Sequence, residues 1–385
     1  MKYFSANAIH VGNFLRAVGV YLPYFVYSTF LAQYIPESAV GLIFSGASIL
    51  AGFMMLHTPH LFRKWRTHRV LIVAACAAAL ALIGLSLDLS DVLVLPLFAI
   101  AWVSGWIVAL GLDVVLEKIV GQKEEGTGSA RAIFLTASNM AVAISSLIIA
   151  ATLTDSEYWR MFLIAAGAFA ACAYIAFRFF SGITHVEHTN MHLKEAIDSI
   201  LKNRSLTAVM GANFLLQLLF IWSGIYIPLY LHNHAGLPWS MIGTILAFSI
   251  LPFILLQVPV GFLADKKFGE KEFIIAGFVI SGIAFIMLAF AEGTGLLVLA
   301  LLVIGTQIGA ALLEIATETY FFKKVGAKDS ELISVFRVLR QCGVIVGPVI
   351  GSIVLFYAPF EYVFAVFGAI LFLGIPISLR IKDTR

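Results

Sequence analysis

Apolar stretches long enough to cross a bilayer recur from one end of this chain to the other. Leu71–Leu87, Ala132–Ala151 and Phe273–Ala291 are three of them. Each is near the ~20 residues that span a hydrocarbon core as a helix. The runs are continuous, without period-2 alternation, so helices rather than a closed barrel are the way to satisfy the backbone in lipid. Composition agrees. Of 385 residues, 61% are hydrophobic and only 12% charged, against about 25% charged in a soluble globular protein. The net charge of +3 decides little. Cys76, Cys172 and Cys342 all lie within apolar runs, which argues against a disulfide framework and for small buried hydrophobes.

Breaks of Pro, Gly and charge divide the chain into about twelve spans by the ~20-residue criterion. They are predicted at 11–33, 38–59, 69–87, 92–117, 131–152, 158–180, 207–231, 239–263, 272–291, 295–320, 331–356 and 360–379. One set of connections holds Arg63, Lys64, Arg66 and Arg69; Lys118 and Lys123; Lys194, Lys202 and Arg204; Lys266, Lys267 and Lys271; Lys323, Lys324 and Lys328. The alternate set reads IPES, DLSD, TDSEYW, HNHAGLP, AEGTG and YAPFE, with acids in all but HNHAGLP and no Lys or Arg. Positive charge stays on the cytoplasmic side, so both termini are expected there. MKYFSANAIH lacks the pattern of a secretory leader, so the first run is expected to be retained. The expected compartment is a cell membrane, of bacterial inner-membrane type.

Residues 181–205 form the one long polar stretch. Leu193, Ile197, Ile200 and Leu201 are spaced for one face of a short amphipathic helix. His185, His188 and His192 raise the question of a metal site. No Cys or acidic set completes a tetrahedral shell, so a solvated linker and no metal is the expectation. The linker separates two six-span bundles, 1–180 and 206–385.

The halves repeat. GNFL at 12–15 answers ANFL at 212–215. Pro36-Glu37-Ser38 followed by Gly41 answers Pro238-Trp239-Ser240 followed by Gly243. Pro59 answers Pro259, and Asp113 and Glu117 answer Glu314 and Glu318. The offset stays near 200 throughout, as internal duplication requires. Two halves in the same orientation are related by an axis along the membrane normal, and such proteins bind cargo near the midplane where the halves meet.

At this point a family resemblance becomes specific. Gly261-Phe262-Leu263-Ala264-Asp265-Lys266-Lys267-Phe268-Gly269 resembles the G-x-L-a-D-r-x-G loop of the major facilitator superfamily, in its second-half position. The resemblance covers the whole chain and implies an all-α fold of two pseudo-symmetric six-helix bundles. It also implies close helix packing at Gly261 and a cytoplasmic charge network joined by Asp265, with Gly269 completing the structural loop motif. The first-half counterpart, HTPHLFRKWRTHR, departs from the pattern. Leu61 stands where Gly is expected and Trp65 where Asp is expected. Gly343, Gly347, Pro348 and Gly351 lie in span 11 rather than span 5 and do not support antiport.

In the family fold, spans 1, 4, 7 and 10 line a central cavity. Span 4 carries Trp102, Trp106, Asp113 and Glu117 within a narrow helical stripe. Span 10 places Gln307, Glu314 and Glu318 on one face. Span 1 offers Asn13, Arg16, Tyr24 and Tyr27, and span 7 adds Asn213 and Gln217. Tyr21, Trp222 and Tyr226 offer further aromatic surface, for an organic cargo or for the membrane interface. Glu117 and Glu318 are expected in a cytoplasmic gate, with Arg131 against Glu117 and Arg337 or Arg340 against Glu318. Asp113 and Glu314 lie deeper. Carboxylates one turn apart oppose each other's ionisation, which suits one member to carry a proton. A structural hydrogen-bonded role and a divalent-cation site stay open for them. Three roles fit Arg16: holding an anionic group of the cargo, neutralising an acid, or reaching the membrane surface.

These features predict a secondary active transporter of a small organic molecule, coupled to protons, with no cofactor, no nucleic-acid partner and no catalytic set; the family resemblance implies a monomer among membrane lipids. Aromatics and carboxylates point to a neutral or cationic amphiphile. A translocase of lipid or amphiphile on the same fold, and a sensor or scaffold that does not transport, are the competing expectations. No P-loop is present to support direct use of ATP.

Overall fold

The computed structural model describes residues 2–87, 90–120, 127–154, 157–181, 198, 200–264, 268–325 and 330–382. All regular structure among these residues is helical. Among the described residues, twelve helices are long and apolar enough to cross a membrane, one for each predicted span. We number them α1 (Lys2–Leu31), α2 (Glu37–Trp65), α3 (Thr67–Ser86), α4 (Asp91–Val120), α5 (Thr127–Thr152) and α6 (Trp159–Phe179). The second six are α7 (Arg204–Asn233), α8 (Trp239–Leu263), α9 (Glu270–Ala289), α10 (Leu296–Lys324), α11 (Ser330–Tyr357) and α12 (Glu361–Ser378).

Local chemistry sets several boundaries. Asn203 caps α7, its side-chain oxygen accepting from the backbone N–H groups of Ser205 and Leu206 at 3.2 and 3.1 Å. Lys118 in α4 and Lys323 and Lys324 in α10 sit in last turns, where positive charge complements the helix dipole. Gly269, at φ 89, starts α9 from a conformation that side chains other than glycine rarely adopt. α8 is interrupted after Ser249 and again after Leu255. Pro252 and Pro259 lack the N–H groups that would bond the preceding turns, which accounts for both interruptions. In the first half, Leu61 and Trp65 lie inside α2. Helix resumes at Thr67 after Arg66 alone, at φ 65.

The chain divides into two compact units. The first comprises residues 1–34, 46–189 and 238–247, and the second residues 35–45, 190–237 and 248–385. Helix contacts follow one scheme in both. α1 packs on α4, α5 and α6, and α3 on α4 and α6; α7 packs on α10, α11 and α12, and α9 on α10 and α12. The most buried span of each unit is its first full one, α1 and α7. The repeated glycines serve the same purpose in each. A Cβ on Gly41 would collide with the Pro348 carbonyl, Tyr226 and Ser352 within the second unit. One on Gly243 would collide with the backbone of Ser146 and Ala150 within the first.

Candidate functional site

Each unit carries a buried polar cluster on its first helix. In the first unit, Asn13 is fully buried. Its Nδ2 donates to the Phe134 carbonyl at 2.7 Å and to Ser138 Oγ at 2.8 Å, both on α5. Both amide hydrogens are thus used, and Oδ1 is left to accept from Arg16 Nε, 3.0 Å away. Arg16 Nη2 also donates to Ser138 Oγ at 3.3 Å. A charged side chain at a span centre costs roughly 2.5–3.5 kcal/mol on insertion scales. Asn13 and Ser138 offset part of that for Arg16, which is half-buried.

Further along α1, Tyr24 is half-buried, with its ring 6.0 Å from Trp102 and 6.3 Å from Tyr21. Trp102 is buried; its indole N–H donates to Ser48 Oγ at 3.0 Å, and its ring stacks on Phe98. Trp106 is half-buried. The helical stripe predicts Tyr27 beside Arg16 and Tyr24 in a wet cavity. Instead Tyr27 is 3% exposed, edge-on to Phe98 and stacked on Phe162. The far end of α1 is enclosed by α4 and α6, so a shared stripe does not give shared access. Asp113 and Glu117 are both exposed on α4.

In the second unit, the buried Gln217 donates from Nε2 to Asn213 Oδ1 at 3.1 Å. Its own Oε1 accepts from Arg340 Nε on α11 at 3.3 Å. Glu314, half-buried on α10, lies within electrostatic reach of both Glu318 and Arg340. Arg340, expected at the outer acid Glu318, is therefore held by Gln217 and in the field of the deeper acid as well. Gly343, one turn beyond Arg340, permits this: a Cβ there would stand 2.5 Å from Cβ of Gln217. Gly347 and Gly351 bring α11 equally close to Ile221 and Tyr226. Trp222 and Tyr226 then donate to the carbonyls of Gly347 and Pro348 at 2.8 and 2.7 Å. Gln307 is buried and donates to Thr306 Oγ1 on its own helix at 3.3 Å.

Asp265 and the side chains of Arg131 and Arg337 lie outside the described residues, as do His185, His188 and His192. At Gly261 a Cβ would meet nothing within 4 Å, so among the described residues packing does not require that glycine. Gly269 is required by its φ. Among the described residues no three His, Cys, Asp or Glu side chains converge on one point.

Three groups escaped the sequence reading. Ser138 is the hub for Asn13 and Arg16, and the polar run Thr136–Asn139 inside span 5 was its signal. Glu270, buried in the first turn of α9, pairs with Lys323 Nζ at 2.6 Å. Glu37, at the start of α2, accepts from Asn233 Nδ2 at 2.7 Å and pairs with His234 Nε2 at 2.9 Å. The hydrogen bond to Glu37 raises the His234 pKa above its usual 6.5.

Comparison with known proteins gives two findings. The sequence model of the Major Facilitator Superfamily matches residues 9–251 and 209–385. The crystal structure of the nucleoside transporter NupG superposes with a TM-score of 0.75 at 14% identity, covering 98% of this chain and 100% of that one. A NupG mutant gives 0.76 and 15% over the same shares. No curated protein matches the chain significantly.

Proposed function

Because the chain belongs to the Major Facilitator Superfamily of secondary transporters, we propose that it moves a small organic molecule by alternating access, with Glu314 as its proton-binding group. The observation that most supports this is the polar chain across three helices of the second unit. It runs Asn213–Gln217–Arg340 by hydrogen bonds and reaches Glu314 electrostatically. While Glu314 is ionised, it attracts the guanidinium. A proton on Glu314 removes that attraction and leaves Arg340 tied to α7 through Gln217. Protonation thereby alters how α10, α11 and α7 are held together, which is the link a proton-driven carrier needs.

Asp113, in register with Glu314, is the matching candidate in the first unit. Glu117, Glu318, Arg131, Arg337 and Asp265 are proposed as the cytoplasmic gate. The two bundles, 1–180 and 206–385 with the 181–205 linker between them, are proposed as the moving bodies. The reading needs no cofactor and assigns no catalytic residue. It places a monomer among the lipids of a cell membrane, of bacterial inner-membrane type.

The test uses purified protein in proteoliposomes. Cargo comes from a thermal-shift panel at pH 6 and pH 8, since a ligand of the native state raises its melting temperature. Nucleosides, named for the solved neighbours, form one class of the panel. Wild type should accumulate the hit against its gradient when a proton gradient is imposed. Glu314→Gln should lose at least tenfold of that accumulation while retaining exchange of labelled for unlabelled cargo. Uphill transport by Glu314→Gln at the wild-type level would remove Glu314 from the coupling.

A further inference from the structure

Resting on the transport reading, we propose that Arg16 and Ser138 bind the carboxylate of an organic monocarboxylate cargo. The argument starts from the repeat. In each unit an amide oxygen fixes the Nε of an arginine: Asn13 Oδ1 for Arg16, and Gln217 Oε1, itself set by Asn213, for Arg340. Among the described residues, the side-chain hydrogen-bond partners of Arg16 are Asn13 and Ser138, and no carboxylate lies within ion-pair distance of it.

The first cluster is also unbalanced in hydrogen bonding. Asn13 Nδ2 donates twice, so the amide cannot turn its oxygen away from Arg16. Ser138 Oγ accepts from both Asn13 and Arg16, which leaves its own hydrogen to donate. Arg16 Nη1 finds no acceptor among the described residues. The cluster therefore ends in donors and one net positive charge, in a span where charge is expensive. What completes it is an acceptor with one negative charge. A guanidinium edge beside a hydroxyl matches the two oxygens of a carboxylate. A single positive charge suits a monoanion better than a phosphate dianion.

This reverses the expectation of a neutral or cationic cargo drawn from the intramembrane acids.

The experiment measures binding to the purified full-length protein in lipid nanodiscs by calorimetry and thermal shift. The probes are lactate, hexanoate and benzoate, each with its primary amide, and sodium chloride as a control anion. At least one acid should bind tenfold or more tighter than its amide. Arg16→Gln should weaken that acid at least tenfold and leave the amide unchanged. Arg16→Lys should restore part of the loss, since it returns the charge without the planar fork. Ser138→Ala keeps the charge and should weaken the acid severalfold, which covers the case in which Arg16→Gln does not fold.

The proposal falls if no acid outbinds its amide, if Arg16→Gln binds the acid as wild type does, or if chloride competes as well as the acids do. The two readings fail separately. Proton-driven uptake of a neutral or cationic compound that depends on Glu314 and ignores Arg16→Gln would sink the carboxylate site and leave the transport reading. Arg16-dependent acid binding without proton-driven uptake would do the reverse.

Discussion

Asn13 illustrates how much one side chain can organise. Its amide makes two donations to α5 and one acceptance from Arg16, and it is fully buried. Replacing it by alanine removes the tie to the Phe134 carbonyl on α5 and leaves Arg16 Nε short of an acceptor. Unsatisfied buried groups cost about 1–3 kcal/mol, so Asn13→Ala should lower the apparent melting temperature by about 3–6 °C. Asn139→Ala, at an exposed position of α5, should leave it unchanged. Equal melting of the two variants would show that the amide does not hold α1 to α5. Asn13 and Asn213 were legible in the sequence because GNFL and ANFL repeat in register. Their partners were not. Helical spacing says which residues share a face of α1, but Ser138 and Arg340 come from helices more than a hundred residues away. Only packing decides that they meet.

At the scale of elements, the start of α2 is tied to the end of α7 by Glu37, Asn233 and His234 within the second unit. Glu37 raises the His234 pKa, and Glu361 and Glu292 add to the effect. A group whose folded pKa is raised stabilises the fold below its unfolded pKa, and that stabilisation fades as pH climbs through the folded value. The window therefore opens near 6.5 and extends upward. Both side chains are about a third exposed, so solvent screening limits the pair to about 1 kcal/mol or less. Wild type should lose a small increment of thermal stability between pH 6 and pH 8.5 that His234→Gln does not lose. Parallel pH profiles for the two proteins would show that the pair contributes nothing. The loops holding these residues, IPES and HNHAGLP, were readable as free of Lys and Arg. Their mutual contact was not, because it joins residues almost 200 apart. The glycines of α11 were equally visible, but which helix they admit was not. Gly343, Gly347 and Gly351 show their purpose only against Gln217, Ile221 and Tyr226.

For the whole molecule, the number of helices and their approximate ends could be read from apolar length alone, because lipid leaves the backbone few alternatives. The duplication was also readable, and the matched contact schemes of α1–α6 and α7–α12 give it a physical form. The interruptions of α8 and the continuation of α2 through Leu61 to Trp65 lay beyond apolar length, which is blind to hydrogen-bond continuity. Charge segregation predicts an orientation that is open to direct measurement. In a background with Cys76, Cys172 and Cys342 replaced, Thr294→Cys should react with a membrane-impermeant maleimide in intact cells. Lys202→Cys should react only after permeabilisation. The opposite pattern would invert the assigned topology.

Arg66 alone joins α2 to α3, at φ 65 and ψ 138. In the second half, α8 ends at Leu263 and α9 begins at Glu270. Two long rods pinned at one residue have almost no slack: neighbouring Cα atoms stand about 3.8 Å apart, so the near end of one cannot travel far without dragging the other. The first hairpin is thus closer to a single bent lever than to a pair of independent struts.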